Sequence, residues 1–246
     1  MSFVEEAVEL GDYLPLSFRT TSEQEYVVFL WESFESNYAS GKYQFAFLVY
    51  HMLTMCFVYF SIWQIKQTRP EDFQKAMVGF SKDLENELLN AESPFALWRV
   101  GESAVMRFFK LTGCDNDKVG NYVALVRDRN DTAHANGNIF FSTQAALDAK
   151  IAVVLRLVEE IQKHSAPLIA DAYRTFLLNN FDAEEREYPD GNDQVREMLI
   201  HKNYLSRKDV DECLAFDVGA LADHSAFDRI RVLHETLLAE YAVDDE

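Results

Sequence analysis

Residues 45–65 read FAFLVYHMLTMCFVYFSIWQI, a run with no Asp, Glu, Lys or Arg. A stretch of that length is long enough to span a bilayer as a helix. It is equally the pattern of a central helix in a bundle, apolar on every side because every side is covered. His51, Thr54, Ser61 and Gln64 weigh toward the second reading, because polar side chains cost free energy in lipid, and the aromatic residues interrupt its aliphatic character. The stretch is therefore read as a buried helix, and no membrane is expected as a partner. The competing reading is a membrane protein that uses Phe45–Ile65 as its span.

Working outward, Ser22 and Glu25 have the spacing of a capping box and predict a helix to about Tyr38, ending before Gly41. The apolar helix runs from Lys42 to about Thr68. The Arg69-Pro70 step closes it, since the residue before a proline avoids helical angles. A third helix is expected from Glu71 to about Ala91, with Phe73, Met77, Phe80, Leu84 and Leu88 at helical spacing. Ser93-Pro94 opens a further segment that ends near Gly113. The run Asn121–Val126 leads into a charged segment, and Asn136-Gly137-Asn138 reads as a turn.

Ser142-Thr143 opens a long helix to about His164, with Ala146, Ile151, Val154, Leu155, Val158 and Ile161 on or near one stripe. Pro167 marks a break or kink, and another helix reaches Leu178. Residues 181–193 read as a linker, because Glu184, Glu185 and Glu187 precede the turn Pro189-Asp190-Gly191-Asn192. Short helical runs follow at about 194–203, 206–215 and 225–241, with Ser206 and Asp209 as a capping variant on the middle one. Asp209, Asp211 and Glu212 on that helix would face phosphates badly, so the pattern reads as a helical cap rather than a DNA-binding helix-turn-helix.

The composition agrees with an all-α chain. Nine glycines and five prolines in 246 residues are too few for the turns of an all-β fold. A hydrophobic content of 48% with 19 Phe, 11 Tyr and 3 Trp supplies a sizeable core. The net charge of −18 excludes a general nucleic-acid binder. That charge is uneven: residues 94–134 carry six bases and five acids, whereas 181–246 carry seven bases and eighteen acids. A site near the arginines can be locally positive while the acidic tail restricts access or attracts a basic partner. Cys56, Cys114 and Cys213 are far apart and show no metal-ligand spacing. No cofactor and no metal are expected. The cysteine usage and the acidic start, with Glu5, Glu6 and Glu9, lead to an expected cytoplasmic location.

The segment Arg127-Asp128-Arg129-Asn130-Asp131-Thr132-Ala133-His134 carries the chemistry. A guanidinium holds a phosphate with two hydrogen bonds, and an imidazole moves protons near neutral pH. On an unbroken helix Arg129 and His134 lie about 140° apart around the axis, whereas Arg127 and Asn130 share a face with His134. Either Arg127 is the functional arginine or a second phosphate ligand, or the helix breaks within the segment, or a second subunit completes the site. Asp131 and Thr132 are weak helix formers and allow a break. Asp128 and Asp131 either raise the histidine's basicity or pair with Arg127 or Arg129.

The spacing Arg129-x4-His134, with Asn130 after the arginine and the flank Ala133-His134-Ala135-Asn136-Gly137, resembles the signature of the HEPN superfamily. The resemblance is close over the motif and loose over the helices at about 22–178. It implies a HEPN-like helical bundle over residues 1–180 with an acidic helical extension over 181–246. It further implies a homodimer that brings two motifs into one cleft. The implied activity is a metal-independent endoribonuclease of a toxin–antitoxin or antiviral defence system, cleaving single-stranded RNA by attack of the ribose 2′-OH. Arg129, His134 and Asn130 are then catalytic, and Arg127 binds substrate. The alternative is a non-catalytic regulatory or antitoxin-like subunit that binds a protein partner through its acidic surface. His51 reads as a satisfied core residue, with lining the site as the other possibility. His164, His201, His224 and His234 read as solvent-exposed, and no cysteine reads as functional.

Overall fold

The computed structural model describes residues 5–134 and 137–242. They are mostly helical, and among them the only β pairing is an isolated antiparallel bridge between Pro15 and Ser206. The chain forms two compact units, one of residues 1–14 and 20–165, the other of residues 15–19 and 166–246.

The first unit begins with the short α1 (Glu5–Glu9), followed by α2 (Thr21–Ala39). The cap of α2 is Thr20, not Ser22: its hydroxyl accepts from the Glu23 amide, and Glu23 accepts from the Thr20 amide in return. Glu23 also accepts from the Ser93 hydroxyl at 2.5 Å, a long-range tie that favours this register over the one two residues later. Val27, Leu30, Phe34 and Tyr38 form the buried stripe of α2. Gly41, at φ +68°, makes the turn into α3 (Tyr43–Thr68).

α3 is the centre of the unit. Its most apolar window has a mean hydropathy of 1.8 and is 78% buried, so the surface that a bilayer would face is covered by protein. The polar residues are accommodated one by one. Thr54 and Ser61 donate to the carbonyls of Tyr50 and Phe57, each at 2.9 Å, a back-bond that satisfies a hydroxyl inside a helix. His51 reaches across to Glu102.

The expected helix over 71–91 is two helices, α4 (Pro70–Ala76) and α5 (Lys82–Leu89). Gly79 takes φ +98° and Ser81 caps α5 through the Leu84 amide. Local turn chemistry thus overrides the apolar periodicity. Residues 94–112 form two 3-10 segments, Pro94–Val100 and Met106–Thr112, on either side of the one-turn α6 (Glu102–Val105).

α7 (Asn116–Ala133) is capped by Asp115, which accepts from the Lys118 amide at 2.9 Å. α8 (Gln144–Asn180) continues through Pro167 as one helix, and its residues are divided between the units after Ser165. Within the first unit Leu147, Ile151, Val154, Leu155, Val158 and Ile161 are buried; Ala146 is exposed and Leu147 takes its place.

In the second unit, Leu168, Ile169, Tyr173 and Leu177 of α8 are buried. The acidic stretch 181–193, expected as a linker, lies inside this unit. Asp182 pairs with Arg229 at 2.6 Å, and the buried Gln194 ties Asn180 to the Tyr188 amide. α9 (Gly191–Gln194) continues into a π-helical turn, Val195–His201. α10 (Arg207–Leu214) carries the expected Ser206/Asp209 capping box, and α11 (Phe227–Tyr241) buries Ile230, Leu233, His234 and Leu237.

Candidate functional site

The segment 127–134 lies at the end of α7, and the helix continues through Asp131 and Thr132 to Ala133. The allowed break is absent because Thr132 satisfies its own hydroxyl within the helix, donating to the Asp128 carbonyl at 2.7 Å. His134 is the C-cap, with φ −74° and ψ 143°; its amide still donates to the Asn130 carbonyl at 3.1 Å. Its Cα therefore remains on the helical path, about two turns beyond Arg127.

The two arginines diverge. Successive residues on an α-helix turn by about 100°, so Arg127 and Arg129 point to nearly opposite sides. Arg129 faces inward and forms an ion pair with Glu102 on α6. Glu102 also bonds the His51 Nε2 at 3.0 Å. His51 is only 3% exposed, so this His51–Glu102–Arg129 cluster joins α3, α6 and α7. Burial alone would push the Glu102 carboxyl up. The hydrogen bonds and charges of His51 and Arg129 outweigh that and hold it at about 2. Glu102 stays ionised across the physiological range.

Arg127 and His134 are both exposed, and neither side chain has a partner among the described residues; Asn130 between them is half-buried. Asp128 is an ion-pair partner of Lys150 on α8, not of either arginine. Asp131 is exposed. Ala135 and Asn136 of the motif's flank, with the start of the expected turn 136–138, lie outside the described residues.

Gln44 on α3 braces the end of α7. Its amide nitrogen donates to the Thr132 carbonyl at 3.1 Å, and its oxygen accepts from the Phe140 amide at 2.9 Å. Thr132 contributes one of the helix-end carbonyls that no further helical turn can satisfy. Beside this brace Phe45, Ile139 and Phe140 are exposed, an apolar patch next to the motif.

Glu102, Gln44 and Lys150 were not singled out from the sequence. Glu102 follows Gly101 at φ +81°, a sharp turn before a helix, but nothing local says which base it will meet. His51 gave a signal, a titratable group in an apolar run, and it is brought to Arg129 through Glu102. The other histidines depart in part from the expected exposure. His234 is buried and bonds the Tyr173 hydroxyl at 2.7 Å, with burial lowering its basicity. His164 is half-buried against Lys118 at 2.5 Å. All three cysteines are buried, and burial pushes the Cys56 thiol up to about 12 and raises that of Cys213. Among the described residues no group of His, Cys, Asp and Glu is arranged to hold a metal ion.

In comparisons with protein-family models, with curated proteins and with solved structures, nothing matches this chain.

Proposed function

We propose that the chain is a metal-independent endoribonuclease of HEPN type, acting on single-stranded RNA at a site shared by two copies. The observation that carries this reading is an exposed Arg127 and an exposed His134 on one helix and its C-cap, neither side chain with a partner among the described residues. Arg129, held by Glu102, then serves as the strut that fixes α7, and Arg127 is the arginine that meets phosphate.

In the proposed reaction one His134 imidazole takes the proton of the ribose 2′-OH. The 2′-oxygen attacks phosphorus, the bond from phosphorus to the 5′-oxygen breaks, and the His134 imidazolium of the other copy protonates that oxygen. The products are a 2′,3′-cyclic phosphate end and a free 5′-hydroxyl. Arg127 stabilises the charge that builds on the phosphate, usually the largest single contribution. Asn130, whose carbonyl holds the His134 amide, positions the imidazole. One copy supplies a single histidine, whereas the reaction uses one imidazole as base and another as acid. That need favours a homodimer, and the apolar patch of Phe45, Ile139 and Phe140 is the surface it would cover.

Purified protein should cut single-stranded RNA in the presence of EDTA and leave DNA intact, since DNA lacks the attacking hydroxyl. The rate should be bell-shaped in pH, because one imidazole must be neutral and the other protonated. If wild type and His134→Ala leave a broad RNA panel equally intact, the nuclease reading is wrong. The second reading, a regulatory subunit that binds a basic protein, is favoured by the engagement of Arg129 with Glu102 and by the acidity of residues 181–246.

A further inference from the structure

The first unit contains a cavity of about 380 Å³ whose lining includes Tyr26, Met52, Tyr59, Phe95, Trp98 and Glu102. Four elements build it: α2 brings Tyr26, α3 brings Met52 and Tyr59, the 3-10 segment 94–100 brings Phe95 and Trp98, and α6 brings Glu102. Phe95 packs edge-on against Tyr26 with centroids 5.3 Å apart, and against Tyr59 at 6.5 Å. Trp98 stands at the opening, 63% exposed, which is unusual for so large an apolar side chain.

Glu102 is the one ionised side chain in that lining. Burial raises both tyrosine phenols and the Cys56 thiol, so those groups remain neutral. The bonds of Glu102 to His51 and Arg129 both use Oε2. The same carboxylate is part of the cavity lining. A carboxylate oxygen held ionised accepts hydrogen bonds and cannot donate one. A ligand that bonds this carboxylate must therefore present a donor.

We infer that the cavity is a binding site for a small organic ammonium ion with an aromatic or apolar body. Its N–H group would meet the Glu102 carboxylate, and its apolar body would pack among Tyr26, Tyr59, Phe95 and Trp98. Two further features select a cation over a neutral donor. Aromatic ring faces carry negative electrostatic potential and attract cations. The chain's net charge of −18 also concentrates cations near its surface. The inference is independent of RNA cleavage, since neither Arg127 nor His134 lines the cavity.

The test is calorimetric titration of the full chain with three probes of similar size at neutral pH. These are phenethylamine as its ammonium ion, the neutral 2-phenylethanol and the anionic 3-phenylpropionate. The ammonium ion should bind at least about tenfold more tightly than the alcohol, and the anion should not bind. Trp98→Ala, an exposed position outside the ion-pair cluster, should weaken the ammonium ion about fivefold or more. Glu102→Gln should remove its advantage over the alcohol. Should that variant fail to fold, Trp98→Ala with the three probes decides alone. No binding of phenethylamine at millimolar concentration overturns the inference, as does equal binding of the alcohol or binding unchanged by Trp98→Ala.

Discussion

At the scale of single residues, the motif separates into two roles set by where α7 turns each side chain. Arg127→Ala should reduce RNA cleavage by about two orders of magnitude or more, because it removes charge stabilisation at the phosphate. Arg129→Ala should cost less than about tenfold in rate and act mainly on stability. The opposite order, read from initial rates on a labelled RNA, would return the catalytic role to Arg129. Glu102 gives a second residue-scale prediction. Its folded carboxyl, at about 2, lies below the ordinary value of 4.5. It therefore contributes stability that is present above about pH 4.5 and lost as pH falls toward about 2. Urea unfolding across that window should show a shallower pH dependence for Glu102→Gln than for wild type. The Arg–His spacing was legible in the sequence because both residues belong to one helix. The partner of Arg129 was not, because Glu102 reaches it only through tertiary packing around the Gly101 turn.

At the scale of elements, the sequence foretold the existence of the long helices better than their ends. α3 was legible almost to the residue, since an uncharged run closed by Arg69-Pro70 admits few other boundaries. The start of α2 was read two residues late, because Ser22/Glu25 and Thr20/Glu23 satisfy the same local rule. The long-range hydrogen bond from Ser93 to Glu23 selects between them. Thr20→Ala should therefore destabilise the chain by about 1 kcal/mol, and the exposed Ser22→Ala by less than about half that. Equal effects in chemical denaturation would mean that the cap is worth nothing here. The split between α4 and α5 was missed for a related reason. An apolar stripe continues across Gly79 and Ser81, and periodicity does not register that one takes a left-handed turn and the other starts a new helix.

At the scale of the whole molecule, the all-α architecture followed from scarce glycine and proline together with repeated helical spacing. The allotment of residues to units did not, because it depends on which neighbours pack together and not on local composition. The homodimer proposed for the nuclease makes the patch beside α7 the surface to disturb. Phe45→Asp, at a position already 59% exposed, should leave the melting transition nearly unchanged. It should also shift light scattering to the mass of one chain and abolish RNA cleavage with it. A dimer that survives this change and a second one, Ile139→Asp, would place the interface elsewhere.

The three buried thiols offer a different use of the structure. Cys56 and Cys114 belong to the first unit and Cys213 to the second. A maleimide cannot reach a buried sulfur until the surrounding helices open. The chain thus carries two internal clocks, and peptide mapping of labelled protein at intervals would time the opening of each unit separately. Labelling of Cys213 ahead of Cys56 would identify the acidic second unit as the first part of the molecule to come apart.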